Sequence, residues 1–194
     1  MTQRLSVVMP AYQLGDVIER NISSVFAVLA PLEPEVVVID DGSTDDTAAA
    51  IARAKATHPG LVTVRFPINR GKGRALLSGF EASSGSRIVF LDADLDLPPD
   101  QIPDVLDHLD GADIVVGTKR DSMATGAYPS LRRVLSRVFA LATGGVFRLP
   151  VSETQTGLKA FRREVLEAVG GKVRIDRYAF DIELLVRARA AGFS

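Results

Sequence analysis

SRIVFLDADLDLPP, residues 86–99, is the stretch whose reading decides the fold. Ile88-Val89-Phe90-Leu91 is an apolar run of strand type that ends in acids at alternate positions, Asp92, Asp94 and Asp96. Pro98 and Pro99 stop the strand, and a helix can start at Pro99. A buried strand that ends in carboxylates carries them to the carboxyl edge of a sheet, where open α/β sheets bind ligands. Hard oxygen donors at this spacing suit Mg²⁺ or Mn²⁺, with phosphate oxygens completing the shell. A lone Asp-x-Asp is also the composition of a solvated acidic turn or helix cap, so its neighbours have to decide.

Working outward, strand-like runs recur at 5–9, 35–39, 61–66, 87–91 and 112–117. Between them lie stretches of helical spacing: 17–29 with Asp16 as N-cap, the turn at 40–47 running to about 57 with Ser43 or Thr44 as cap, 75–83, and 99–109. The run 35–39 is apolar on both faces, as central parallel strands are. The alternation implies an α/β fold, a Rossmann-like, doubly wound, mostly parallel sheet with right-handed crossovers and helices on both faces. It weakens after Gly117. There the pattern predicts a loop at 119–128, an amphipathic helix at 130–143 ended by Gly144-Gly145, a strand at 157–161, and helices at 162–169 and 178–191.

The 194 residues fit a single domain with a sizeable core, in two halves: a nucleotide-binding 1–118 and an acceptor-side 119–194. With 46% hydrophobic and 24% charged residues the chain is globular. A net charge of −1 argues against a nucleic-acid binder dominated by phosphate contacts. The charge is uneven, because residues 119–148 carry six cations against Asp121 alone, a local charge of +5. The absence of cysteine excludes disulfides and thiolate chemistry and fits a reducing, cytoplasmic setting. No signal-peptide pattern opens the chain, and no apolar stretch approaches the roughly 20 residues of a spanning helix, so membrane contact is expected at the surface.

A second acidic cluster, Asp40-Asp41-Gly42-Ser43, ends strand two as Asp92 and Asp94 end strand four. Stability does not explain two such clusters on one sheet edge; an aspartate there can accept a hydrogen bond from a nucleobase N–H. Asn69-Arg-Gly-Lys-Gly-Arg74 adds backbone N–H groups at a helix start and three cations, including Lys72 beside Gly71, a natural neighbour for a diphosphate. The glycine fingerprint of dinucleotide folds is absent after strand one, and Gly71-Lys72-Gly73 is not a P-loop.

VVMPAY, VVVIDDGSTDDT, NRGKGRAL and FLDADLDLPP, in this order and spacing, resemble the family 2 glycosyltransferases of GT-A fold. TQTGLKAFRREV and YAFDIELLVRARAAGF are similar to the polyprenyl-phosphate branch, above all dolichyl-phosphate β-glucosyltransferases and, more distantly, the mannose synthases. The resemblance implies that Asp92 and Asp94 bind the metal, Mg²⁺ or Mn²⁺, with Asp96 as a third ligand. It implies that Asp40 and Asp41 face the nucleobase, and that Pro10, Ala11, Tyr12, Gly71, Lys72, Asp92 and Ala93 contact the nucleotide. Where relatives continue Asn-Glu, this chain has Gln13-Leu14, and Glu153 stands where they carry aspartate. Relatives also continue past Gly192 with a further strand and often membrane helices, so Ser194 reads as the edge of a longer protein.

The implied reaction is inverting transfer of a sugar from a nucleotide-sugar donor, UDP-glucose or GDP-mannose in type, to a polyprenyl phosphate. Asp94 then serves catalysis with Asp181 and Glu153 as further acids. Asp181 in FDIELL holds a sugar hydroxyl or an acceptor-side cation, or only complements a helix start. Lys119, Arg120 and Arg148 are the candidates for holding the acceptor phosphate, with Arg177 behind them. The 130–143 helix pairs an apolar stripe with Arg132, Arg133 and Arg137, as interfacial helices do, although an ordinary packed helix has the same stripe. The alternatives are a hydroxyl acceptor, with Asp181 or Glu153 as base, and a non-catalytic nucleotide-binding module.

Overall fold

A computed structural model describes residues 4–118, 156–177 and 179–194. The strands are β1 Leu5–Ala11, β2 Glu35–Asp40, β3 Leu61–Arg65, β4 Arg87–Leu91, β5 Ile114–Val116 and β6 Leu158–Arg162. The helices are α1 Ile18–Leu29, α2 Thr47–Thr57, α3 Lys72–Ala82, α4 Ile102–His108, α5 Arg163–Val169 and α6 Phe180–Ala190. The sheet order is β3-β2-β1-β4-β6-β5. β3, β2, β1 and β4 pair parallel, and β6 runs antiparallel to both β4 and β5. The expected mostly parallel α/β sheet is therefore present, with one antiparallel strand inserted between β4 and β5.

Strand residues alternate between two cores, as the period of two requires. Val7, Met9, Val36, Val38, Val89 and Leu91 pack under Ile18, Ile22, Ile51 and Ile102 of α1, α2 and α4. Val8, Val37, Ile39, Ile88, Phe90 and Phe161 pack under Leu76, Phe80, Val165 and Phe180 of α3, α5 and α6. Burying each such aliphatic side chain stabilises the fold by about 1.5–3 kcal/mol before chain entropy is counted. The alternation also aims the residue after Leu91, Asp92, toward the side of α3 and α6.

Several boundaries differ from the sequence expectation. β1 runs through Pro10 because Asp41 N donates to Ala11 O at 2.8 Å. That turns Ala11 toward β2 and Pro10 toward the β4 side, where the pairing has already ended at Val8–Phe90, so the missing proline N–H breaks no ladder bond. α3 starts three residues early, at Lys72, because Gly71 takes φ +99° and turns the loop straight into the helix. Neither Asp16 nor Ser43 or Thr44 caps a helix: the residue before α1 is Val17, and Thr47 N at the start of α2 donates to Asp45 Oδ1 at 3.1 Å. Among the described residues no helix is long and apolar enough to cross a membrane. The 130–143 helix lies outside the described residues.

Candidate active site

The carboxyl ends of β1, β2 and β4, the first turn of α3, the residues entering β6 and the start of α6 share one edge of the sheet. At its centre Lys72 Nζ lies 2.6 Å from Asp92 Oδ1 and 2.8 Å from Oδ2. Burial alone would push the Lys72 ammonium down, but Asp92 first, then Asp181 and Asp94, hold it above the ordinary lysine value. The chain after Asp92 turns sharply. Leu95 N donates to Asp92 O at 3.0 Å, and Leu95 itself sits at φ +56°, a left-handed conformation uncommon for leucine. Inside that turn Ala93 is buried and its carbonyl accepts a hydrogen bond from Asn21 Nδ2 at 2.8 Å. Asp94 and Asp96 stand exposed on its outside, with Asp96 N donating to Asp94 Oδ1 at 3.2 Å.

The neighbouring edge is closed by backbone. Asp41 is buried and accepts from Arg70 N at 2.7 Å and Gly71 N at 2.9 Å, so its carboxylate fastens the loop that delivers Lys72. Asp40, also buried, accepts from Ser43 N at 2.9 Å. Its Oδ2 lies 3.1 Å from Arg65 Nε without a hydrogen bond among the described residues. Tyr12, the residue after β1, is 48% exposed. Gln13, at φ +55°, ties the two loops together: its N donates to Ser43 Oγ, and its Oε1 accepts from Thr44 N and Asp45 N. Leu14 N donates to Thr47 Oγ1. The Gln13 side chain thus serves loop geometry in this chain, while Leu14 contributes through its backbone.

On the other flank Asp92 N donates to Gly157 O at 2.8 Å, and a Cβ at Gly157 would lie 2.7 Å from Asp92 Oδ2. Two residues on, Lys159 is 2% exposed, with Nζ 2.6 Å from Thr156 O and 2.7 Å from Asp181 Oδ1. Burial pushes the Lys159 ammonium below the ordinary lysine value, against the pull of Asp181. Asp181 is thus a buried partner of an internal lysine rather than an exposed helix-start charge. The chain before α6 packs on the start of α3, where Gly73 N donates to Asp176 O at 2.8 Å. Glu183 holds that segment by accepting from Arg174 N and Ile175 N.

The structure therefore brings Ala11, Asp40, Asp41, Gly71, Lys72, Asp92, Ala93, Asp94 and Asp181 to one edge. Arg177 is exposed nearby. Lys119, Arg120, Arg148 and Glu153 lie outside the described residues. Sequence reading assigned no role to Asn21, Lys159 or Glu183. Asn21 carried one signal, a polar residue on the apolar face of α1; Lys159 and Glu183 carried none, since each depends on a partner distant in the fold. Among the described residues no three acidic or imidazole side chains stand together ready to hold a metal. The donor set at Asp92 and Asp94 still fits a hard divalent cation that takes few protein oxygens and completes its shell with phosphate oxygens and water.

The sequence model of glycosyl transferase family 2 matches residues 6–170. The chain is 31% identical over 173 residues to undecaprenyl-phosphate 4-deoxy-4-formamido-L-arabinose transferase of Klebsiella pneumoniae, covering 86% of this chain and 51% of that one. It is 30% identical over 195 residues to glycosyltransferase AglD of Haloferax volcanii, covering 97% and 31%. The chain thus spans about half, or less, of the length of these curated relatives. Among solved structures it is similar to Mycobacterium tuberculosis glucosyl-3-phosphoglycerate synthase in complex with Mn²⁺, UDP and phosphoglyceric acid: TM-score 0.74, 26% identity, 98% of this chain and 65% of that one. It is also similar to the mannosyltransferase PcManGT of Pyrobaculum calidifontis in complex with GDP-Man and Mn²⁺: TM-score 0.67, 27% identity, 98% and 53%.

Proposed function

The chain belongs to glycosyl transferase family 2, and we propose that it is the GT-A catalytic domain of an enzyme that transfers a hexose, with inversion, from a nucleotide sugar to a polyprenyl phosphate. The observation that carries the donor side is the meeting of the Asp92–Asp94 edge with Lys72 at the start of α3: acids for a metal and a cation for a diphosphate in one cluster. Solved neighbours hold UDP or GDP-Man with Mn²⁺. UDP-glucose and GDP-mannose are the donor types this supports.

In this reading an acceptor phosphate oxygen attacks the anomeric carbon from the face opposite the diphosphate, and the bond to the diphosphate breaks with its electron pair. Lys72, in the first turn of α3, stabilises the charge that builds on the departing group. Asp94, with Asp92 and Asp96 as further oxygen donors, would hold a divalent cation, which when bound would supply Lewis-acid neutralisation of the same charge. The acceptor needs no protein base, because the second pKa of a phosphate monoester, about 6, leaves it largely dianionic at neutral pH. The engagement of Asp181 Oδ1 by Lys159 supports this reading, since it gives that carboxylate oxygen a partner other than an acceptor hydroxyl.

The acceptor reading rests on the undecaprenyl-phosphate relative and on the +5 segment at 119–148, where Lys119, Arg120 and Arg148 are the proposed phosphate holders and the 130–143 helix the proposed contact with the membrane face. A hydroxyl acceptor is the second reading, favoured by the likeness to a synthase solved with phosphoglyceric acid. A donor panel with polyprenyl phosphate in detergent, run on the full-length protein, decides between them. Transfer to the lipid phosphate is expected; transfer to a free hydroxyl with none to the lipid overturns the proposal.

A further inference from the structure

Lys159 sits where a lysine is costly. It lies in β6, opposite Phe90 of β4 and Val116 of β5, on the same strand face as Phe161 and so on the core side of α3, α5 and α6. Both Lys159 and its partner Asp181 are buried. A buried ion pair is weak support for stability: replacing both members by apolar residues of similar volume is often neutral or better, whereas removing one strands the other charge. The pair therefore asks for a reason other than folding.

Its contacts supply one. Nζ of Lys159 joins Asp181, in the first turn of α6, to the carbonyl of Thr156. The next residue, Gly157, accepts the backbone N–H of Asp92 and leaves the space that the Asp92 carboxylate fills. Lys72, whose Nζ holds that carboxylate, feels the charge of Asp181 as well as that of Asp92, and Lys159 feels Lys72 and Asp92. Two ion pairs, Lys72–Asp92 and Lys159–Asp181, thus lie close together, and residues 156–157 are the backbone link between them.

We propose that Lys159 is a positioning residue that locks the start of α6 to the 156–157 turn and so fixes Asp92 for the nucleotide and its metal. It touches no substrate. The inference rests on the glycosyl-transfer reading only for what Asp92 serves, and its test needs no acceptor.

The test compares full-length wild type with the paired replacement Lys159→Met/Asp181→Leu, which removes both charges together. Melting temperature, affinity for UDP and GDP with Mn²⁺, and hydrogen exchange of amides 92–95 are measured on each. The expected result is a melting temperature near wild type, nucleotide affinity lower by on the order of 10- to 100-fold, the usual loss when a ligand's supporting partner is removed, and faster exchange at 92–95. Lys159→Gln/Asp181→Asn carries the same comparison if the apolar pair does not fold. Wild-type affinity and wild-type exchange in a folded double variant would overturn the proposal and leave a space-filling pair. A wild type that binds neither nucleotide would count against the donor reading, and the exchange at 92–95 would still decide the role of Lys159.

Discussion

The ammonium of Lys72 straddles both carboxylate oxygens of Asp92, at 2.6 and 2.8 Å, across the gap between the start of α3 and the end of β4. A cation already sits on the acid edge, so a diphosphate arriving there meets a positive group held in place. Lys72→Met is expected to weaken UDP binding roughly tenfold or more and to make it less sensitive to salt, as loss of a charge contact does. Because the folded state raises the Lys72 value, the contribution of this pair to stability is complete below the ordinary lysine value, about 10.4, and fades only as pH rises through the raised one. Titration calorimetry between pH 6 and 9 should therefore show no loss traceable to Lys72; a fall within that range would contradict the assignment.

Asp94 is one of the two exposed acids of the turn and the nearer in sequence to Asp92, which suits it to a metal shared with a diphosphate. Nucleoside diphosphate should bind more tightly with Mn²⁺ or Mg²⁺ than with EDTA, and Asp94→Asn should abolish most of the difference. Equal affinities in the two buffers for wild type would rule the metal role out.

Gly157→Ala tests the close packing beneath Asp92. Its added methyl would lie within 3 Å of three Asp92 side-chain atoms, so either the carboxylate or the 156–157 turn has to move. Nucleotide affinity should drop by about tenfold while the melting temperature falls only a few degrees, since most core contacts are untouched. A variant that binds like wild type would show that the site tolerates a displaced Asp92.

Much of this edge was legible in the sequence because its signals are local. An apolar run that ends in alternating acids, or a glycine–lysine turn before a helix, needs only neighbours along the chain. The insertion of β6 between β4 and β5 was not legible, because β4 and β5 follow one another in the chain yet are not neighbours, and the strand that fills the place between them comes only later in the sequence, which no local pattern encodes. Lys159 stayed hidden for the same reason: in TQTGLKAF it looks like the polar position of an edge strand, and only the flanking strands make it buried. Asp41 was read correctly as belonging to the edge, yet its use by Arg70 N and Gly71 N depends on a loop 29 and 30 residues away.

Glu183 gives a pH-dependent prediction. Burial raises its carboxyl, but hydrogen bonds from Arg174 N, Ile175 N and Arg187 more than offset this and leave it below the usual range. A depressed acid contributes stability above its unfolded value, about 4.3, and loses it as pH falls through the folded value. Glu183→Gln keeps an acceptor oxygen, and the bonds it weakens are exposed and screened, so it should cost no more than about 1 kcal/mol near neutrality. The difference from wild type should shrink below pH 4. Urea unfolding at pH 7 and pH 3.5 measures both arms, and a difference that is the same at the two values would contradict the role.

Asp40 and Asp41 were expected to act alike on the nucleobase, and their surroundings separate them. Asp41 spends both oxygens on backbone N–H groups of the 70–71 loop, so Asp41→Asn turns one acceptor into a donor facing an N–H. It should loosen that loop and with it Lys72, weakening UDP, GDP and ADP by similar factors. Asp40 Oδ2 pairs with the Arg65 guanidinium, 3.1 Å from Nε, and makes no hydrogen bond among the described residues. If either acid reads the base, it is Asp40, and Asp40→Asn should change the order of preference among the three nucleotides rather than lower all of them. Wild type should favour UDP or GDP over ADP, because both carry a ring N–H that a carboxylate can accept and adenine does not. Competition binding with the three diphosphates on wild type and both variants measures this, and an Asp40→Asn variant that weakens all three equally would move the base contact away from β2.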